Sequence, residues 1–161
     1  MKTRATFILS LLASSLSGAA LAACATMEPA AFAQHFFEKH REFYHLPTTR
    51  LDEVVTPAFR RALAAHYRCI KAEGICHIDY DPWLGAQDGE IHPPLEFSVT
   101  ARQGDRASVR MAYRFIVAGP QGKRHQVTLM LRAKTADKCW QVDDLITPLG
   151  DSLAARFLGS P

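Results

Sequence analysis

The hydrophobic period of this chain changes once, and that change limits the folds open to it. From Phe32 to Ile70 apolar residues recur at helical spacing, and from Leu95 onward they alternate strictly with polar ones. Residues 28–46 read as a first helix. Glu28-Pro29 suits a first turn, Phe32, Phe36, Phe37, Phe43 and Tyr44 follow at helical intervals, and Pro47 stops the run. A second helical region covers about 50–73. It restarts at Thr56-Pro57, carries Phe59, Leu63, Tyr67 and Ile70 on one face, and closes at Gly74. Residues 75–94 hold Pro82, Gly85, Gly89, Pro93 and Pro94 and read as a long loop.

The alternating half predicts four strands. Leu95, Phe97, Val99 and Ala101 oppose Glu96, Ser98, Thr100 and Arg102, and residues 106–117 and 125–133 continue the pattern through Val109, Met111, Tyr113, Phe115, Val127, Leu129 and Leu131. Trp140, Val142 and Ile146 mark the last strand, roughly 138–146, with Asp144 in the same phase. Gln103-Gly104-Asp105, Ala118–Lys123 and Thr135-Ala136-Asp137 are hairpin-type turns, so the sheet is an antiparallel meander with one wet face. Asp151-Ser152 opens a short closing helix with Leu153 and Phe157. Helices first and a one-sided sheet afterwards make an α+β layer architecture, with N-terminal helices on a curved four-stranded sheet.

The first 23 residues belong to targeting. Met1-Lys2-Thr3-Arg4 is basic, Phe7 to Leu12 is apolar, and small residues lead to Ala23, the pattern of a cleaved secretory signal. Its removal leaves a nearly neutral remainder of 138 residues with 17 basic and 16 acidic groups, which gives no whole-chain case for nucleic acid. The remainder divides into a tether, 24–29, and one domain, 30–159. Leu21-Ala22-Ala23-Cys24 matches the lipobox of bacterial lipoproteins, in which Cys24 is acylated; ordinary cleavage after Ala22 or Ala23 is the rival. The expectation is export, to the periplasm or to the outer membrane of a Gram-negative bacterium, with membrane contact only through a lipid at Cys24. Cys69 and Cys76 flank Gly74 closely enough to form a disulfide. Cys139 either pairs with an unacylated Cys24 or stays a thiol.

Several motifs carry a resemblance. Phe36-Phe37 and Phe43-Tyr44, Thr56-Pro57, the loop Asp79-Tyr80-Asp81-Pro82-Trp83-Leu84-Gly85-Ala86-Gln87-Asp88, and Trp140-Gln141-Val142-Asp143-Asp144-Leu145-Ile146 span most of 30–158. Together they resemble a family of secreted bacterial domains of unknown function within the nuclear-transport-factor-two-like (cystatin-like) superfamily. The resemblance implies a cone-shaped α+β fold and an exported protein. It carries no catalytic assignment, because the superfamily spans isomerases, hydratases, dimerisation modules and immunity proteins.

Candidate site residues fall into two groups. The first lies in the loop and around the mouth of the cone. Asp79, Asp81 and Asp88 offer oxygens, but their spacing is not that of a calcium loop, and Asp81 suits capping the turn at Pro82. Asp81, Trp83, Gln87 and Asp88 are candidates for ligand contact, with Trp83 suited to plugging the open end. Asp79 or Asp81 with His66, Tyr44 or Tyr113 could form an acid/base pair with a raised carboxylate pKa. His66, beside Tyr67, reads equally as a surface residue. No metal motif or cofactor loop occurs, and His35, His40 and His45 are five apart rather than four. The second group is a basic sheet face: Arg102, Arg106, Arg110, Arg114, Arg132 and Lys134 share the polar parity. That face suits an acidic protein partner, a homodimer, or a solvated surface that blunts sheet association. It lacks the interleaved aromatics of a single-stranded nucleic-acid site. The sequence reading is a non-enzymatic binding module, of the immunity or inhibitor type or a small-ligand binder. The alternative is a small pocket enzyme, isomerase- or hydrolase-like, using a buried carboxylate with Tyr or His.

Overall fold

The computed structural model describes residues 27–119 and 121–159. The leader and Cys24 lie outside them, and so do the readings of signal cleavage and acylation. Helix α1 runs Pro29–His40. It stops earlier than the expected 46: Phe43 N–H turns to the His40 carbonyl and His45 N–H to that of Glu42. Beyond the turn Phe43 and Tyr44 both pack into the core. Two helices occupy the expected 50–73, α2 at Leu51–Val54 and α3 at Pro57–Glu73. Between them Val55 is extended and bridges Val142 of the sheet. Thr56 then caps α3: its Oγ1 accepts from Phe59 N–H at 3.2 Å and donates to Asp143 at 2.7 Å, while Pro57 fills the first helical position. Gly74, at φ 83°, ends α3 with its N–H on the Ile70 carbonyl.

Four strands follow, β1 Glu90–Gln103, β2 Arg106–Ile116, β3 Lys123–Ala133 and β4 Trp140–Ile146. They pair antiparallel in chain order, the expected meander. The strand β1 corrects the sequence reading in two ways. It begins inside the expected loop and runs through Pro93-Pro94, because β1 is an edge strand where missing N–H groups leave no ladder bond broken; a register shift between His92 and Glu96 absorbs the prolines. A second shift between Val99 and Ala101 then reverses the parity. Beyond it Arg102 lies opposite buried Ala107 on the helix side, stacks 5.7 Å over Trp140 and pairs with Glu28 at 3.2 Å. Arg102 therefore leaves the basic face. Of the expected apolar row of β1, Phe97 packs on Phe37 of α1, Leu95 and Val99 are exposed, and Ala101 passes to the other face.

A shift between Met130 and Leu131 does the same to Asp144, which stands opposite outward Met130 rather than inward. Asp144 accepts from the Ser152 hydroxyl at 2.5 Å and from Ala154 N–H at 2.9 Å, fixing the start of helix α4, Leu153–Phe157. Ser152 caps that helix through Ala155 N–H. The core lies between the helices and the inward sheet face, around Phe36, Phe43, Phe59, Met111, Leu129 and Phe157. Cys69 and Cys76 are joined, with Cα atoms 5.8 Å apart, tying the end of α3 to the following loop. So short a closure contributes about 2–3 kcal/mol. Cys139 is not a free thiol. Among the described residues no helix is long and apolar enough to cross a membrane.

Candidate functional site

The segment from Ile75 to Gly89 has few ladder partners, so its own side chains organise it. Asp81 does most of this. Its Oδ1 accepts from Trp83 N–H at 2.7 Å, its carbonyl accepts from Leu84 and Gly85 N–H, and its own N–H reaches the Ala86 carbonyl. This is the turn-capping role expected of it. Gly85 takes a positive φ of 64°, and a Cβ there would sit 3.2 Å from both Pro148 and Leu149. Gln87 donates to the Asp79 carboxylate at 3.1 Å rather than to backbone.

Trp83 lies under this turn with no exposed surface. Its Nε1–H donates to the Arg41 carbonyl at 2.8 Å, and the Trp83 carbonyl accepts from the Tyr113 hydroxyl. Phe37 and Phe43 meet the indole edge-on, with centroids 5.0 and 6.0 Å away. Trp83 is thus a core anchor holding the loop to α1, out of reach of a ligand. Tyr113 is buried among the core residues and its phenol is spent on the same anchor.

Beside this anchor opens a cleft of about 670 Å³ into which several of the sequence candidates converge. Tyr44, His66, Asp79, Asp81 and Gln87 all line it. Asp88 is exposed, Trp83 is buried, and both lie off the lining. Glu42, His45, Ile75 and Ile78 also line the cleft, and no sequence pattern singled them out. Burial raises the Asp81 carboxyl above the usual carboxylate range, although the Trp83 N–H and Arg41 pull it back. Burial, and then the neighbouring Asp81 charge, push the Tyr44 phenol well above its usual range. The Tyr44 hydroxyl donates to Asp81.

His66 is the main correction at the site. It is 2% exposed, not a surface residue, with its ring stacked on Phe157 at 3.9 Å and 12°. Burial, with a further push from His77, lowers its pKa to about 4. The Tyr44 backbone carbonyl is its hydrogen-bond partner, and Nδ1 has none. A second inward histidine was also missed: His125 stands opposite Tyr113 and stacks on Phe115 at 4.5 Å. Its position at the start of β3 was the available signal.

The sheet's outer face is less basic than its parity suggested. Arg132 pairs with Asp143 at 3.4 Å, Lys134 with Asp137 at 3.8 Å, and Arg124 with Glu96 at 2.6 Å. Among the described residues Arg106, Arg110 and Arg114 form no ion pair. Cross-strand neighbours set Arg106 against Arg132 and Arg114 against Arg124. One cluster among the described residues has metal-ligand spacing, Cys69, Glu73 and Cys76, but both sulfurs are committed to the disulfide.

Comparison with known proteins found no matching family model and no matching curated protein.

Proposed function

We propose that this is an exported, cone-shaped domain of the nuclear-transport-factor-two-like kind that binds a small ligand in the cleft above Trp83. One observation carries the reading: Tyr44, His66, Asp79 and Asp81, from α1's exit turn, α3 and the loop, line one open space of ligand size. The basic face offers less. Its acids neutralise part of it, and the concavity beside Glu96, Tyr113, Arg114 and Arg124 holds only about 250 Å³. An acidic protein partner or a second copy on that face is the rival outcome. Export rests on the basic-apolar-small leader and agrees with a disulfide in the domain. A thioether on Cys24 and a disulfide at its sulfur exclude one another, so the mass of the unreduced mature protein decides between lipid anchor and bridge.

The test compares two variants against ligands found in a fragment screen. Asp81→Asn keeps the Oδ1 that caps the turn, and it should weaken those ligands by about tenfold through loss of charge. The double reversal Arg110→Glu/Arg114→Glu should leave them unchanged. The opposite pattern would place the site on the sheet face and overturn the reading. A second reading rests on the Asp81–Tyr44 pair. A carboxyl raised by burial beside a phenol is an acid/base couple, which suits a pocket isomerase or hydrolase. Chemical turnover of a cleft ligand, lost in Asp81→Asn, would favour that reading over simple binding.

A further inference from the structure

The lining of the cleft is one-sided in charge. Glu42, Asp79 and Asp81 contribute three carboxylates, and no Lys or Arg is among the residues that line it. Arg41, whose charge reaches Asp81, is drawn over the Phe37 ring at 5.6 Å and does not line the cleft. Between the acids the walls are apolar, formed by Ile70, Ile78 and Leu84, with Ile75 exposed at the rim.

The second observation is His66, which lines the same cleft and is almost wholly buried. A carbonyl only accepts, so the ring proton sits on the nitrogen facing the Tyr44 carbonyl. Nδ1 is left as a lone-pair acceptor with no partner. A buried polar atom without a partner costs about 1–3 kcal/mol, and an arriving donor relieves that cost. Three carboxylates, faced in the lining by one exposed imidazole at His45 that reaches Glu42 at 3.6 Å, and an empty acceptor ask for the same thing, a positively charged donor. A bare metal ion does not meet the geometry: among the described residues, the only three-residue group with ligand atoms close enough is the disulfide cluster.

We infer that the cleft takes an organic ammonium ligand, its charged N–H group directed at Asp81 and His66 Nδ1 and its apolar body against Ile70, Ile78 and Leu84. This rests on the cleft being the ligand site. Burial that raises the Asp81 carboxyl is consistent with a charge awaiting its counter-ion.

Three probes of one skeleton separate the contributions: 4-phenylbutylammonium, 4-phenylbutanol and 4-phenylbutyrate. Titration calorimetry at neutral pH should show the ammonium binding about tenfold or more tightly than the alcohol, and the carboxylate not binding. His66→Phe keeps the stack on Phe157 and removes the acceptor. It, Asp81→Asn and the rim pair Glu42→Gln/Asp79→Asn should each weaken the ammonium severalfold or more. Glu42 and Asp79 are exposed, so the rim variant folds whatever becomes of the others. Equal binding of alcohol and ammonium, or indifference of the ammonium to the rim variant, overturns the cationic class and leaves the cleft reading standing. An ammonium that does not bind overturns it too; the cleft reading falls only if the fragment screen also leaves the cleft silent.

Discussion

Trp83→Ala should lower the unfolding free energy by about 3–5 kcal/mol, the range for emptying a buried aromatic site. The indole has no exposed surface, meets Phe36, Phe37 and Phe43, and donates to the Arg41 carbonyl. Removing it opens a void between α1 and the loop and also orphans that carbonyl. Trp83→Phe retains most of the ring packing and loses the donor, and should cost about 1–3 kcal/mol. Urea unfolding of both variants gives the comparison. A loss below about 1 kcal/mol for alanine, against the expected core penalty, would mean that the indole does not anchor the loop. The anchor also holds the turn that presents Asp81 and Leu84 to the cleft, so Trp83→Ala should lose ligand binding even where it remains folded.

Acid should destabilise the protein well before its carboxylates titrate, and His66 should be the main cause. Its folded pKa of about 4 lies below the ordinary 6.5, so between those values the unfolded chain binds a proton that the folded protein refuses. Stability is therefore fully present above the unfolded value, falls as pH drops through this window, and levels off once both states are protonated. At about 1.4 kcal/mol for each pKa unit, the loss approaches roughly 3 kcal/mol. His40, also lowered by burial and by His35, adds in the same direction. Asp81 acts oppositely. Its raised folded pKa means that protonation favours the folded state, so its contribution offsets part of the loss at the acid end of the window. Urea unfolding at pH 7 and pH 5 should show the drop in the native sequence and a much smaller one in His66→Phe. Equal drops in the two would contradict a buried, neutral His66.

Features that depend on neighbouring residues were legible in the sequence. Thr56-Pro57, Gly74 and Ser152 act as the caps their types suggest, because a cap is satisfied within one helical turn. Strands β2 and β3 follow their alternation since both are central and one face is covered. What failed depends on pairing across the chain. A bulge adds one residue to a strand and turns every later side chain over, so Arg102 and Asp144 changed faces without any local signal. Pro93-Pro94 masked the start of β1, because only the sheet order shows that β1 is an edge. His66 is buried by Phe157, from the far end of the chain.

The site divides along the same line. Asp81 and Gln87 stood out as polar groups in a loop lacking ladder partners and Tyr44 as a phenol on the first helical run, and the structure brings them to one cleft. Glu42, His45 and Ile78 did not stand out. The cleft is made by α1's exit turn, α3 and the loop meeting, and none of these is concave alone.

The central claim is that ligands enter this cleft, and amide-shift mapping tests it most directly. Isotope-labelled protein, titrated with the hits of a fragment screen, should show perturbations concentrated at Glu42–His45, His66, Ile75–Asp81 and Leu84–Gln87. Perturbations centred on Arg106–Arg114 and Arg124–Arg132, with the cleft residues unmoved, would contradict it.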